Sequence, residues 1–229
     1  MNRDRRWADR VRTSGDARGQ ALVEFSLLVP VFLVILLIML EFGFALNDYM
    51  SISYASREGA RTGAALASGV GSGGTNLDPS CVDAVTGSPR PMTSNDVDPL
   101  IIAAVERVLK SPGSMVNLGY LQSITIYKAD NAGNPVMNTS NVWRYTPGAG
   151  PLVPCQQNPP PLDFTGPSSP SWPASSRLSG SPADELGISI SYTYHLTTPL
   201  AGAIRLIGGS QASTLPMSDR TVMAIEPTN

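Results

Sequence analysis

One stretch of the sequence constrains the fold more than any other: residues 21–40 form a long apolar run. From 25 to 40 its one polar side chain is Ser26. If helical, 20 residues extend about 30 Å, which matches the hydrocarbon thickness of a bilayer. A cleavable secretory signal is the alternative, but its apolar region is shorter and ends at a small-residue cleavage site. No such site follows Leu40 closely, so we predict a retained single-pass membrane helix.

The charges on the two sides of this run differ. Residues 1–19 hold six Arg and three Asp, a balance of +3, so the overall charge of −2 leaves −5 for the remainder. Because basic flanks stay in the cytoplasm, we expect a cytoplasmic N-terminus and an exported C-terminal domain, periplasmic or extracellular. The acidic balance of the exported part argues against nucleic acid as a partner.

The apolar run extends into a longer predicted helix. No Gly or Pro cluster interrupts the chain before Gly69, although Pro30 should bend the helix. A helix ending at Ala67 would span about 70 Å, so its second half must stand outside the bilayer. We therefore divide the chain into an unstructured basic leader (1–19), a helix (20–68) and an exported domain (69–229), with a flexible break at 69–74.

The second half of this helix carries small residues at every fourth position. One row is Ser51, Ala55, Gly59, Gly63 and Ala67, and the neighbouring row is Ser56, Ala60, Ala64 and Ser68. Such a face allows another helix to approach closely. It could equally pack on the protein's own C-terminal strands, and the sequence leaves both uses open.

The exported part is predicted to be a small α+β domain with an antiparallel sheet. Asp98 as N-cap, Pro99 as first residue and a stop at 111–113 define one packed helix. Alternating apolar residues predict a strand at 124–127, a turn at 130–135 and a weaker strand toward Trp143. The clearest strand is 188–196, and a final extended segment reaches 225. Residues 147–182, with ten Pro, are predicted to form a long surface loop.

Two cysteines, Cys81 and Cys155, both lie in the exported part, where oxidation is permitted. We predict that they pair, with free thiols as the alternative. Closing a loop of about 75 residues would stabilise the fold by roughly 4 kcal/mol on the chain-entropy model.

The search for catalytic groups gives nothing that converges. The sole histidine, His195, falls on the polar face of a predicted strand. No metal-ligand cluster, nucleophile elbow, phosphate loop or dinucleotide fingerprint is present in the sequence. We therefore expect no enzymatic activity, no cofactor and no metal.

Glu24 needs an explanation because it lies inside the apolar end of the helix, where an unpaired carboxylate is costly. It could simply reach back to water among the headgroups. However, a basic leader ending in Gly19, followed five residues later by Glu24, resembles the processing site of type IV prepilins and pseudopilins. That resemblance implies a membrane prepilin-type peptidase that cuts between Gly19 and Gln20. It also implies that Glu24 pairs with the new N-terminal ammonium of a neighbouring subunit.

A more specific resemblance covers residues 19–67, about a fifth of the chain. The matching motifs are Gly19, Val23-Glu24-Phe25, Pro30, Glu41-Phe42-Gly43 and the Ala-x-x-x-Gly-Ala-Arg of residues 55–61. Together they resemble the TadE-like family. The resemblance implies a pseudopilin of a Tad (Flp) pilus assembly or secretion system in a bacterial membrane, with other pilins as partners. A TadF-type pseudopilin is a close rival, and a tethered surface or adhesion module with a ligand-binding outer domain is the alternative of another class.

Overall fold

The computed structural model describes residues 5–67, 69, 81–180, 182–209 and 213–225. Helix α1, Arg5–Leu66, continues through Pro30. The leader, predicted to be unstructured, is therefore helical from Arg5. Arg and Ala favour helices, and extending an existing helix needs no new nucleus, so the leader can follow the span. Ser68 and residues 70–74 of the predicted break lie outside the described residues.

The fold is α+β, as predicted, with one antiparallel sheet of five strands in the order β3-β2-β1-β4-β5. The remaining elements, in chain order, are α2 (Ser94–Leu109), a 3₁₀ turn (Leu118–Tyr120), β1 (Leu121–Ala129), β2 (Pro135–Tyr145), β3 (Phe164–Thr165), a second 3₁₀ turn (Ala174–Ser176), β4 (Glu185–His195), α3 (Leu200–Gly208) and β5 (Thr214–Ala224). The short apolar stretch at 200–207, to which no element was assigned from the sequence, forms α3.

The chain divides into two compact units, and α1 contributes to both. One unit contains α1 up to Gly43 together with Leu196–Ser213, which includes α3. The other contains Phe44–His195 and Thr214–Asn229. In this grouping the second half of α1 belongs with the sheet and α2.

The core of the second unit lies on one face of β1 and β4. Ile124 is paired with Ile190 and Ile126 with Ile188 in the antiparallel register, and all four side chains are fully buried. The alternation of apolar and polar residues that predicted β4 places these side chains on the inner face. Residues of α2 and of the second half of α1 pack against this face and complete the core.

Helix α2 begins earlier than predicted. Its N-cap is Thr93, and the carboxylate of Asp96 accepts hydrogen bonds from the Thr93 backbone N–H (2.8 Å) and hydroxyl (2.9 Å). The prediction of Asp98 as the cap was wrong because this Thr-x-x-Asp pair, a short form of the capping box, starts the helix one turn earlier. Asp98 instead binds Arg177 and Asn141 through its two carboxylate oxygens, at 2.5 and 2.8 Å.

The Pro-rich segment at 147–182 is mostly irregular, as predicted, but it also contributes the short edge strand β3 and the second 3₁₀ turn. The predicted disulfide joins Cys155 in this segment to Cys81, with Cα atoms 4.1 Å apart. Trp172, also in the segment, is buried and lies under the guanidinium of Arg177, 4.7 Å from the ring centroid. A buried aromatic ring and a crosslink therefore hold a segment that is poor in regular structure.

Candidate functional site

The apolar part of α1 has no protein partner within the described chain. One helix, Gly19–Leu66, is long and apolar enough to cross a membrane, and none of its most apolar window is buried. Large side chains are exposed on all sides, with Leu22, Phe25 and Leu27 each about 70% exposed. A helix that is apolar all round is suited to lipid rather than to water. We conclude that the protein is anchored in a membrane.

Gln20 and Glu24 lie on one side of α1 at the start of this span, directly after Gly19. The Gln20 amide Nε2 donates to Glu24 Oε1 over 3.0 Å, one helical turn away. Both residues are exposed, and a Cβ built on Gly19 would meet nothing within 4 Å. The backbone at 19–20 is therefore open to another molecule, and Glu24 lies one turn from the nitrogen of Gln20.

A second carboxylate, Glu41, occupies the other end of the apolar run and is buried. Its two oxygens accept hydrogen bonds from consecutive backbone N–H groups, Thr197 at 2.8 Å and Thr198 at 2.9 Å. These residues directly precede α3, so a negative charge lies close to the positive end of that helix. The sequence had marked Glu41 through its Glu-Phe-Gly motif without indicating a partner.

The small-residue face of α1 packs within the chain. Ala55, Ala60 and Ala67 are fully buried. A Cβ on Gly59 would come within 2.6 Å of Val105 in α2 and 3.5 Å of Ile188 in β4. A Cβ on Gly63 would come within 2.9 Å of both Ile101 and Leu186. Of the two uses left open by the sequence, the structure shows packing on the protein's own sheet and on α2.

Sequence analysis missed a buried polar pair in the second unit. Asp48, on α1, is buried and accepts a hydrogen bond from the Tyr192 hydroxyl over 3.0 Å. Burial raises the pKa of Asp48, and the Tyr192 hydrogen bond opposes this only in part. Burial and the charge of Asp48 raise the pKa of Tyr192 in turn. The available signal was a charged residue one helical turn from Ile52 and two turns from Ala55, on the face that meets the sheet.

The second unit also has a cleft of about 490 Å³ between α2 and the Pro-rich segment. Asp98, Trp143 and Thr165 are among its lining residues, and the buried Trp143 Nε1 has no hydrogen-bond partner among the described groups. Within the described ranges, no group of three or more His, Cys, Asp or Glu side chains could hold a metal ion. The cleft therefore has mixed polar and apolar walls.

Comparison with known proteins adds one match, and it falls on α1. Residues 19–61 match the model of the family described as TadE-like protein. Over this segment the chain is similar to the TadE-like family. The matched segment begins at Gly19 and includes Glu24 and Glu41, so it covers both carboxylates that bound the apolar run. No curated protein and no solved structure matches the chain significantly.

Proposed function

We propose that this protein is a membrane-anchored pseudopilin of a Tad (Flp) pilus assembly or secretion system, with an assembly role rather than a catalytic one. The TadE-like match at residues 19–61 carries the proposal. The N-terminus would lie in the cytoplasm, because the six Arg of the leader precede the span. The exported unit would face outward. The partners would be a prepilin-type peptidase and other pilins or pseudopilins.

The geometry at the start of the span supports processing between Gly19 and Gln20. The family match begins at Gly19, so the leader lies outside it. A peptidase must extend its substrate locally, and Gly in a helix interior lowers helix stability by about 1 kcal/mol relative to Ala. Nothing lies within 4 Å of a Cβ placed there. Gly19 is thus a weak point of α1 at which the backbone can be unwound and approached.

Glu24 would then act as the assembly carboxylate. Cleavage creates an ammonium group at Gln20, and Glu24 lies one turn away on the same side of the helix. An opposite charge near the membrane interface stabilises a carboxylate that would otherwise lose solvation. Pairing with the ammonium of a neighbouring subunit would therefore fix the register between helices.

The decisive experiment is the mass of the mature N-terminus in protein purified from its native membrane. We expect a start at Gln20 for the native protein and retention of the leader in Gly19→Leu. Gly43→Leu is the matched control, because Gly43 is also a helical glycine with nothing within 4 Å. Peptides from 1–19 still joined to Gln20 in the native protein would contradict processing.

Assembly is tested separately with Glu24→Ala. The variant should insert in the membrane normally, because an apolar side chain suits the span, but it should abolish pilus biogenesis. Normal piliation in cells that carry only this variant would remove Glu24 from the assembly role.

The second candidate is a tethered surface module, and the cleft beside Trp143 is the observation that favours it. Its walls combine the polar Asp98 and Thr165 with the aromatic surface of Trp143, which suits a small ligand. This reading requires the helix only as an anchor. Retention of the full leader together with normal surface display would move it ahead of the pseudopilin proposal.

A further inference from the structure

Helix α3 belongs to the same compact unit as the membrane span. The nine residues of α3, LAGAIRLIG, contain a single charged side chain, Arg205. The chain leaves the sheet at the end of β4, forms α3, and returns to the sheet at Thr214. A short apolar helix is thus placed between two paired strands, where a tight turn would have been enough to connect them.

The start of α3 is fixed at the end of the apolar run. Glu41 follows Leu40 directly, and its carboxylate receives the backbone N–H groups of Thr197 and Thr198 at 2.8 and 2.9 Å. If residues 21–40 fill the hydrocarbon, Glu41 lies at its boundary with the headgroups. The N-terminal end of α3 lies at that same level, because two hydrogen bonds join it to Glu41.

The surface of α3 fits a lipid boundary better than water. Leu206 is 89% exposed, more than any other large apolar side chain described. Arg205, next to it, is also exposed and donates from Nε to Ser213 Oγ over 2.8 Å. An exposed leucine beside a cation is the pattern of helices that lie in the membrane interface, with the cation among anionic headgroups.

We propose that α3 is an interfacial helix, which lies in the headgroup–acyl boundary of the bilayer that α1 spans, on the side where α1 leaves it. Leu206 enters the acyl region, and Glu41 holds the helix at the correct depth. The chain is then attached to the membrane at two places, α1 and α3. The proposal requires α1 to span the bilayer, but it does not depend on the pilus role.

The test uses the full-length protein with Leu206→Cys, labelled with an environment-sensitive fluorophore and reconstituted in phosphatidylcholine–phosphatidylglycerol vesicles. The native cysteines are joined in a disulfide and do not react with the label. Vesicles with a spin label on carbon 5 of the acyl chain quench fluorophores near the acyl boundary. Met137→Cys, 86% exposed in β2, is the matched control, and Met39→Cys, 71% exposed at the end of the span beside Glu41, is the positive control.

We expect blue-shifted emission and loss of intensity in spin-labelled vesicles at positions 206 and 39, and neither change at 137. Water-like emission at 206, equal to that at 137, would overturn the proposal. Blue-shifted emission at 206 without quenching would also overturn it, because the probe would then be buried in protein instead. The vesicles contain only lipid and the purified protein, with no other pilus component, so the result is independent of the biogenesis tests.

The anchoring role of Glu41 is tested by adding Glu41→Gln to the position-206 probe. A glutamine offers one oxygen, and its NH₂ group would face the second N–H donor, so one of the two hydrogen bonds must be lost. We expect a clear loss of quenching at 206. Glu24→Gln, the matched change at the other end of the span, should leave the quenching unchanged. Unchanged quenching in Glu41→Gln would overturn the anchoring role.

Discussion

Between residues 21 and 40, α1 carries large apolar side chains that are exposed on every side, whereas from 51 to 67 it carries small residues that are mostly buried. Both halves are continuous helix, so helix formation does not distinguish them. Side-chain size does. Large apolar groups on all sides require lipid around them, while Gly and Ala on one face allow a sheet and a second helix to approach within van der Waals distance. One helix thereby serves as an anchor and as a core element.

We expect the largest effect from removing the disulfide. It lies in the second unit, so its removal should not affect the membrane-spanning half of α1. Cys81→Ser with Cys155→Ser should lower the free energy of unfolding of the second unit by about 4 kcal/mol, as the 74-residue separation implies on the chain-entropy model. The buried Trp143 and Trp172 report urea unfolding by fluorescence. Resistance of the protein to carbonate extraction should not change, since lipid holds the other half. If carbonate released the double variant from the membrane, the two halves of α1 would not act separately as anchor and core element.

Placing the same substitution in each half gives the next largest effect. Gly59→Leu should destabilise the second unit by about 3 kcal/mol, because even a Cβ comes within 2.6 Å of Val105. Gly43→Leu, with nothing within 4 Å, should leave that free energy unchanged or slightly raised, since leucine is the better helix former. Equal urea midpoints for the two variants would show that Gly59 is not packed as described.

The parts of the fold that were predicted correctly depend on local patterns. Alternating residues located β1 and β4, and a run of apolar residues located the span, because each pattern needs only its own neighbours. The use of the small-residue face could not be decided, since Gly59 and Gly63 suit a partner helix and a sheet equally. The Glu41 and Asp48 contacts were also out of reach, because Thr197 and Tyr192 are more than 140 residues away in sequence.

A smaller effect is expected at the start of α2, where a local rule was misapplied. Asp96→Ala removes the capping carboxylate and should cost about 1 kcal/mol. Arg90→Ala keeps the cap but removes the bidentate ion pair to the buried Asp96 carboxylate (2.7 and 2.8 Å), so it should also cost about 1 kcal/mol. Urea unfolding measures the cost of both variants. Asp98→Ala should instead destabilise the fold by leaving the buried Arg177 without its ion pair. If Asp98→Ala alone shortened α2, Asp98 would be the N-cap.

The smallest effect separates two buried carboxylates by the sign of their pH dependence. Burial raises the pKa of Asp48 above its ordinary 3.8, so the folded state binds the proton more tightly than the unfolded state. Its contribution to stability is therefore full below pH 3.8 and falls as the pH rises through the folded pKa. For Asp96, burial is outweighed by hydrogen bonds from Arg90 and Thr93, which hold its pKa below 3.8. Its contribution is present above pH 3.8 and is lost as the pH falls.

Asparagine at each position tests these opposite signs without changing side-chain size. Asp48→Asn keeps an oxygen for the Tyr192 hydroxyl and should flatten the decline in the free energy of unfolding between pH 4 and pH 7. Asp96→Asn should instead flatten the loss at lower pH, where the native carboxylate becomes protonated. Urea unfolding from pH 3 to pH 7 compares the two slopes with the native protein. If Asp48→Asn altered the slope in the same direction as Asp96→Asn, the Asp48 carboxylate would be stabilised by its surroundings rather than penalised by burial. The surroundings of Asp48 in the second half of α1 would then favour the ionised carboxylate, which contradicts the effect that we expect from its burial against the sheet.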